Sequence, residues 1–161
     1  MKRTSRGQHR VDAIRTPGGR DNNKHRGAIA ELEFTLEAAR RGFGVAKPFV
    51  DNERYDVIVD ATRRLWRVQV KMSGLSRNRG FSVHACWNTS NKTMPYTKDQ
   101  IDFLAVVIQC ARTRGRKIWY IIPVDALGGR LTIYVYPFGC RKDCEQRFEE
   151  YRDAWHALEV L

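Results

Sequence analysis

Two long apolar runs near the middle of the chain constrain the fold more than any other feature. They are "IDFLAVVIQ" at residues 101–109 and "KIWYIIPV" at residues 117–124, and the basic segment "CARTRGR" separates them. Each run has the length of a strand and lacks the polar alternation of a strand with one solvated face. Both are therefore predicted to be central strands of a sheet that is covered on its two faces.

Helical spacing marks the segment "GAIAELEFTLEAARR" at residues 27–41. Its side chains Ile29, Leu32, Leu36 and Ala39 recur every three or four residues, which predicts one helix with that stripe buried. The glycines of the following "RGFG" predict where the helix ends.

Several further elements complete the predicted fold. Strands are expected within residues 45–50, 81–87 and 130–137, and an amphipathic helix within residues 140–161. Along one face of that terminal helix lie Cys144, Phe148, Tyr151, Trp155 and Leu158. This face is expected to pack on the sheet or to contact a partner, with equal support. The order of elements predicts the fold class α/β or α+β, with a mixed central β-sheet flanked by helices.

The net charge points to a polyanionic partner. Lys and Arg number 29 against 18 Asp and Glu, which gives +11, and eight of the basic residues precede position 27. Residues 1–23 are predicted to be a basic flexible N-terminal arm, either binding nucleic acid or serving as a disordered solubilising tail. Residues 24–161 are predicted to form one domain.

The sequence also bears on location and on metal chemistry. No apolar run approaches the roughly 20 residues of a membrane span, so we expect no membrane partner and a cytoplasmic protein, nucleoid-associated when bound to DNA. A zinc cluster can be imagined from His84, Cys86, Cys140 and Cys144. No C-x-x-C pair and no downstream histidine pair supports it.

The stretch "YDVIVDATRRLWRVQVK" at residues 55–71 predicts a hairpin with a basic turn. Side chains alternate along strands, so a turn centred between Thr62 and Arg63 makes facing residue numbers sum to 125. Asp56 then faces Gln69, and Lys71 lies one diagonal step away on the same face.

Such a cluster suits metal-assisted phosphodiester hydrolysis. Asp56 is a charged oxygen ligand for Mg²⁺, and the side-chain or main-chain carbonyls of Gln69 and Val70 are neutral ones. Lys71 would position the attacking water or stabilise the transition state. A solvated hairpin face is the alternative that the residues alone leave open.

The order and spacing of several motifs resemble a known family. They are "RGAIAE", "GVAKPF", "YD", "VQVK", "PYTKDQIDFLAVV", "WYIIPVDAL" and "YRDAWHAL". Together, over about residues 24–158, they resemble the PD-(D/E)xK nuclease superfamily, in the branch that carries Gln in place of an acidic residue. A cyanobacterial group I intron-encoded homing endonuclease belongs to that branch.

The resemblance implies roles for individual residues. Asp56, Gln69 and Lys71 match catalytic positions, and Glu31 matches the helix carboxylate, whereas helical periodicity alone does not choose between Glu31 and Glu33. The implied metal ligands are Asp56, Glu31, Gln69 and Val70, with Mg²⁺ as cofactor and Mn²⁺ as a substitute. The implied substrate is double-stranded DNA, cut by a homodimer or homotetramer.

DNA contacts are expected from the loops beside the site. The candidates are Arg77, Arg79, Asn88, Asn91, Lys92 and Lys98. Their types suit phosphate contacts and, for Arg and Asn, base readout, although solvated loop charge explains any one of them equally well.

The predicted function is that of a Mg²⁺-dependent double-stranded DNA endonuclease of the homing type. A Holliday junction resolvase of the same superfamily and a catalytically silent DNA-binding module are the alternatives.

Overall fold

The computed structural model describes residues 22–50, 52–74, 76–77, 80–140 and 147–159. The helices are α1 (Asn22–Arg40) and α2 (Val124–Leu127), and the strands are β1 (Gly44–Ala46), β2 (Val57–Asp60), β3 (Leu65–Ser73), β4 (Ser76–Arg77), β5 (Gly80–His84), β6 (Cys86–Asn88), β7 (Thr93–Pro95), β8 (Phe103–Ile108), β9 (Ile118–Pro123) and β10 (Thr132–Val135). The predicted arm, residues 1–23, lies outside the described residues except for the first two residues of α1.

A five-stranded mixed sheet in the order β1-β2-β3-β8-β9 forms the centre of the molecule. The pair β3 and β8 is parallel, and the other three pairs are antiparallel. Every residue of β8 is buried, as are the first five of β9. The prediction that the two apolar runs are central strands buried on both faces is thus confirmed for β8, whereas β9 is buried although it ends the sheet.

The hairpin of β2 and β3 has the predicted register. Val57 faces Val68 and Asp60 faces Leu65, so that facing numbers sum to 125. Asp60 accepts a hydrogen bond of 2.8 Å from the backbone N–H of Thr62, which braces the turn. Gln69 and Lys71 consequently project to the sheet face that also carries Asp56.

Two apolar clusters cover the two faces of the central sheet. On one face, α1 packs against the even-numbered positions of β3 and the odd-numbered positions of β8 and β9, and Trp155 and Leu158 join this cluster. On the other face, β5 and β10 of a separate three-stranded sheet cover Leu104, Val106 and Tyr120. The face of the β2–β3 hairpin that carries Asp56, Gln69 and Lys71 is this second face.

The predicted buried stripe of α1 is wrong. Leu32 and Leu36 are 63% and 51% exposed, whereas Ala30, Phe34 and Ala38 are buried. Because each residue turns a helix by about 100°, the two stripes lie on nearly opposite faces. The small alanines let the helix lie close to the sheet, and Phe34 fits between Trp119 and Trp155, with ring centroids 5.7 and 5.4 Å away.

The predicted terminal helix is also not present in the part of the segment that the structure describes. Residues 147–159 contain two 3-10 turns, Glu149–Tyr151 and Trp155–Leu158. Phe148 and Trp155 are nevertheless buried, and they belong to opposite apolar clusters. The apolar spacing therefore reflects two core anchors rather than one helical face, and Cys144 lies outside the described residues.

One shorter prediction needs adjustment. The strand expected within residues 81–87 is divided at Ala85 into β5 and β6, which belong to different small sheets. None of the described helices is both long and apolar enough to cross a membrane.

Candidate active site

Asp56 stands immediately before β2, where the backbone holds its carboxylate in place. Its own N–H donates to the carbonyl of Val68 at 2.9 Å. Its Oδ2 accepts one hydrogen bond from the backbone N–H of Val70, at 2.8 Å, and another from Nε2 of Gln69. Its Oδ1 accepts no hydrogen bond from the described residues and is not among their buried polar atoms. One carboxylate oxygen is thus fixed and the other is open.

The surroundings of Asp56 change its acidity. Burial raises its pKa to about 6, and the charge of Glu31 acts in the same direction. The Val70 hydrogen bond and the cations Lys71 and Lys47 lower the pKa but do not cancel the effect of burial. Asp56 therefore changes its charge close to neutral pH, which is typical of functional carboxylates.

Glu31 approaches the site from the other layer of the molecule. Strand β1 stops at Ala46, opposite Ile58, so β1 has no residue paired with the start of β2. At this gap Lys47 follows β1, and its Nζ lies 2.6 Å from Oε2 of Glu31. Glu33 points elsewhere, since it forms an ion pair of 2.8 Å with Lys117. The geometry therefore brings Glu31, and not Glu33, to Asp56.

Lys71 is half-buried beside these carboxylates. Its Nζ lies 5.8 Å from the ring centre of Tyr96, and it forms no ion pair with any described carboxylate. Burial raises the pKa of the Tyr96 phenol, and the charge of Asp56 raises it further, so this ring stays neutral. The ammonium of Lys71 is consequently free to donate hydrogen bonds to a bound molecule.

One cleft of about 560 Å³ collects the predicted catalytic and metal-binding residues. Glu31, Asp56, Gln69, Val70 and Lys71 all line it. Sequence reasoning missed further residues around it, namely Lys47, Tyr96, Arg26, Ser73 and Ser82. Lys47 falls within a motif used for the resemblance, but spacing alone gives it no role because its place depends on where β1 ends.

The predicted DNA-binding residues occupy three environments. Asn91 and Lys92 are exposed in the turn between β6 and β7, and Asn88 at the end of β6 accepts a hydrogen bond of 2.9 Å from Thr93. Lys98 is exposed and forms an ion pair of 2.6 Å with Asp125.

The remaining two are partly or wholly outside the described structure. Arg77 is described through the backbone of β4, and Arg79 lies outside the described residues.

The β6–β7 hairpin adjoins the cleft through a cation–π contact. The guanidinium carbon of Arg54 lies 3.7 Å from the ring centre of Trp87, on β6. Arg54 is two residues from Asp56, and Trp87 also donates a hydrogen bond of 3.2 Å to Gln100. These contacts place β6 beside the segment that precedes Asp56.

The donor set in the cleft fits a hard divalent cation better than zinc. Within the described ranges, no group of three His, Cys, Asp or Glu side chains is placed to hold a metal ion, and Cys144 lies outside them. The cleft instead offers the carboxylates of Glu31 and Asp56, the amide of Gln69 and the carbonyl of Val70. Oxygen ligands of this kind, completed by water, are those that Mg²⁺ takes.

A family model described as PD-(D/E)XK endonuclease matches residues 21–158. The chain belongs to this family. The predicted fold class and the predicted endonuclease function are thereby confirmed, and a DNA substrate and the use of a divalent metal ion follow from the family.

The endonuclease is similar to several solved structures. The bacterial homing endonuclease I-Ssp6803I is 28% identical, with 86% of this chain and 93% of that chain covered and a TM-score of 0.70. MepB is 14% identical, covering 75% of this chain and 94% of its own, with a TM-score of 0.46. The Holliday junction resolvase Hjc of Archaeoglobus fulgidus is 16% identical, with 73% of this chain and 92% of that chain covered and a TM-score of 0.41. No curated protein matches the sequence.

Proposed function

We propose that the endonuclease is a Mg²⁺-dependent enzyme of the homing type that hydrolyses both strands of a DNA duplex. One observation carries this proposal: Asp56 and Lys71 line the same cleft. Asp56 has one carboxylate oxygen held by hydrogen bonds and the other oxygen free, and Lys71 forms no ion pair with a described carboxylate. The similarity to I-Ssp6803I, described as a bacterial homing endonuclease, supports the homing type.

Four residues would hold the metal. Asp56 would bind through Oδ1, Glu31 through its carboxylate, and Val70 and Gln69 through carbonyl oxygens. When bound there, the cation would lower the pKa of a water molecule and neutralise charge on the phosphate. Mn²⁺ takes oxygen ligands in the same way and is expected to substitute for Mg²⁺.

The protein residues orient and stabilise the reacting groups. Hydrogen bonds from Gln69 and the Val70 N–H fix the plane of the Asp56 carboxylate. Lys71 donates from its ammonium to the attacking water and to a non-bridging oxygen of the phosphate, where negative charge develops. A bond forms between the water oxygen and phosphorus, and the bond from phosphorus to the leaving sugar oxygen breaks. The proton that the attacking water loses passes to bulk solvent, which also protonates the leaving oxygen.

DNA would lie across the cleft and against the β6–β7 hairpin. We assign phosphate contacts to Lys92 and Lys98, and phosphate or base contacts to Asn88 and Asn91. Arg77 and Arg79 follow the strand of Lys71 and extend this set. Residues 1–23, rich in basic side chains, are proposed to be an arm on the same duplex, joined to a domain that spans residues 24–161.

Cutting both strands requires two active sites or two separate cleavage events, so we propose a homodimer or homotetramer that acts in the cytoplasm on nucleoid DNA. Phe148 and Trp155 do not support this assembly as interface residues, because both are buried within the single chain.

The test is cleavage of a plasmid library of intron-insertion sites in Mg²⁺, with a four-way junction as competitor. We expect linear products from wild-type protein, at least a hundredfold slower cleavage by Lys71→Ala, and little inhibition by the junction. Undiminished cleavage by Lys71→Ala would refute the site. Preferential cutting of the junction would identify a resolvase, and binding without any cutting would identify a silent DNA-binding module.

A further inference from the structure

A second basic region lies beyond the active-site cleft, in the turn between β8 and β9. Its sequence, "CARTRGRK" at residues 110–117, contains three arginines and a lysine. The turn begins with a 3-10 helix, Ala111–Thr113, and continues through Arg114, whose φ is 50°. Arg114 and Arg116 are exposed.

A separate cleft of about 600 Å³ runs beside this turn. Its basic lining residues, which define what we call the basic cleft, are Arg112, Arg114, Arg116, Lys117 and Arg152. Asp153 is the single acidic residue among its described lining. Basic side chains thus outnumber acidic ones by five to one in this lining, which favours an anionic ligand.

Three of the five cations already have partners. Lys117 pairs with Glu33 at 2.8 Å, and the guanidinium of Arg112 lies 4.2 Å from the ring centre of Phe138. Arg152 donates to a backbone carbonyl at 3.0 Å. These contacts hold the walls of the basic cleft in place.

Arg114 and Arg116 have no such partner. Neither forms an ion pair, a side-chain hydrogen bond or a ring contact with the described residues. Two exposed arginines that repel one another in one turn contribute little to folding, because exposed charges gain little even from a partner. They are, however, well suited to bind phosphate oxygens.

The turn is tied directly to the rim of the active-site cleft. The N–H of Gln109, the residue before the turn, donates to the carbonyl of Ser73 at 3.2 Å. Ser73 and Gly74 line the active-site cleft, and a Cβ on Gly74 would lie 2.9 Å from the carbonyl oxygen of Gln109. Five residues reach at most about 18 Å, so Arg114 lies within that distance of the rim.

We propose that the basic cleft binds backbone phosphates of duplex DNA flanking the cut site, through Arg114 and Arg116, independently of base sequence. The proposal rests on the proposed function, because the duplex must occupy the active-site cleft. A duplex presents one phosphate charge per about 1.7 Å of axis, so phosphates are available at the required distance. Contacts to them would fix the orientation of the duplex on the enzyme.

The test compares two variants that each remove two positive charges. R114Q/R116Q alters the basic cleft, and R63Q/R64Q alters the turn between β2 and β3, at the hairpin end away from Asp56. Thermal melting establishes that both fold. Binding to a 30-base-pair duplex, a length of about three helical turns, is then measured by fluorescence anisotropy in metal-free buffer at several salt concentrations.

We expect R114Q/R116Q to weaken binding about tenfold and to lower the slope of log K against log salt by about 1.8, since each phosphate contact contributes about 0.9. In Mg²⁺ its KM should rise while its kcat stays near that of wild type. R63Q/R64Q should change neither slope nor KM.

Equal salt slopes for the two variants would overturn the proposal, even if wild type cuts DNA. A changed sedimentation coefficient of R114Q/R116Q without DNA, with unchanged DNA binding, would also overturn it and assign the basic cleft to a second copy of the chain. A third outcome separates the two proposals. If the salt slopes are as expected but wild type does not cut DNA, the proposed nuclease site is refuted, whereas DNA binding by the basic cleft is supported.

Discussion

Lys47 and Glu31 form an ion pair of 2.6 Å at the point where β1 ends and the active-site cleft begins. The carboxylate of Glu31, a proposed metal ligand, is therefore paired with the ammonium of Lys47. The negative charge of Glu31 raises the pKa of Asp56, and the positive charge of Lys47 lowers it. In the metal-free enzyme Lys47 thus offsets part of the repulsion between the two carboxylates.

The first prediction concerns competition at Glu31. Lys47→Met should tighten the binding of Mn²⁺ or Mg²⁺ several-fold, because it removes a positive charge close to the cation and frees Glu31. Isothermal titration calorimetry of DNA-free protein measures this directly. Lys117→Met is the matched control, since it breaks the equivalent 2.8 Å pair with Glu33 on the same helix, away from the cleft. Weaker metal binding by Lys47→Met would show that Lys47 supports the site instead.

The second prediction concerns the stability cost of Asp56. Its folded-state pKa of about 6 exceeds 3.8, the ordinary pKa of an aspartate side chain, so the fold favours the protonated carboxyl. The wild type is therefore penalised progressively as pH rises from about 4 to 6, and the penalty persists above pH 6.

Asp56→Asn avoids that penalty. It should be more stable than wild type by up to about 3 kcal/mol at pH 8, as two pKa units correspond to roughly that free energy. The difference should shrink towards zero near pH 4. Urea denaturation in EDTA at both pH values measures it, and an Asn variant that is less stable than wild type at pH 8 contradicts it.

The third prediction concerns the neutral Gln69. Gln69→Glu adds a negative charge beside Asp56, which should raise the pKa of Asp56 above about 6. The pH at which the metal affinity reaches half of its high-pH value should move upward by about one unit, while the affinity at pH 8 should increase. Metal titrations from pH 5 to 9 follow the shift. A midpoint that does not move would mean that residue 69 is not coupled to Asp56.

The fourth prediction separates the two faces of α1. Phe34→Ala should lower the free energy of unfolding by about 3–5 kcal/mol, because Phe34 is fully buried between two tryptophans. Leu36→Ala, on a side chain that is 51% exposed, should cost less than about 1 kcal/mol. Chemical denaturation compares the two. Similar losses would support the stripe that periodicity alone predicts.

The hairpin was predictable because its information is local. Alternation along β2 and β3, with a turn between Thr62 and Arg63, is enough to place Asp56 opposite Gln69. The apolar runs of β8 and β9 were equally readable, since burial on both faces leaves no polar positions.

The errors arose where packing is decided by distant residues. The leucines of α1 are more hydrophobic than its alanines, so periodicity favours burying the leucines. The buried face is instead the one that carries Phe34, because Phe34 packs against Trp119 and Trp155. The C-terminal spacing mimicked a helix because Phe148 and Trp155 anchor opposite clusters. Lys47 received no predicted role because its position depends on the length of β1.

The seating of Phe34 between Trp119 and Trp155 makes the position of Glu31 depend on a side chain 124 positions further along the sequence. Glu31 and Phe34 lie on the same helix, α1, and Phe34 holds that helix against both tryptophans. Trp155→Ala should therefore loosen α1 and weaken metal binding in calorimetry, although Trp155 lies outside the cleft that Glu31 and Asp56 line.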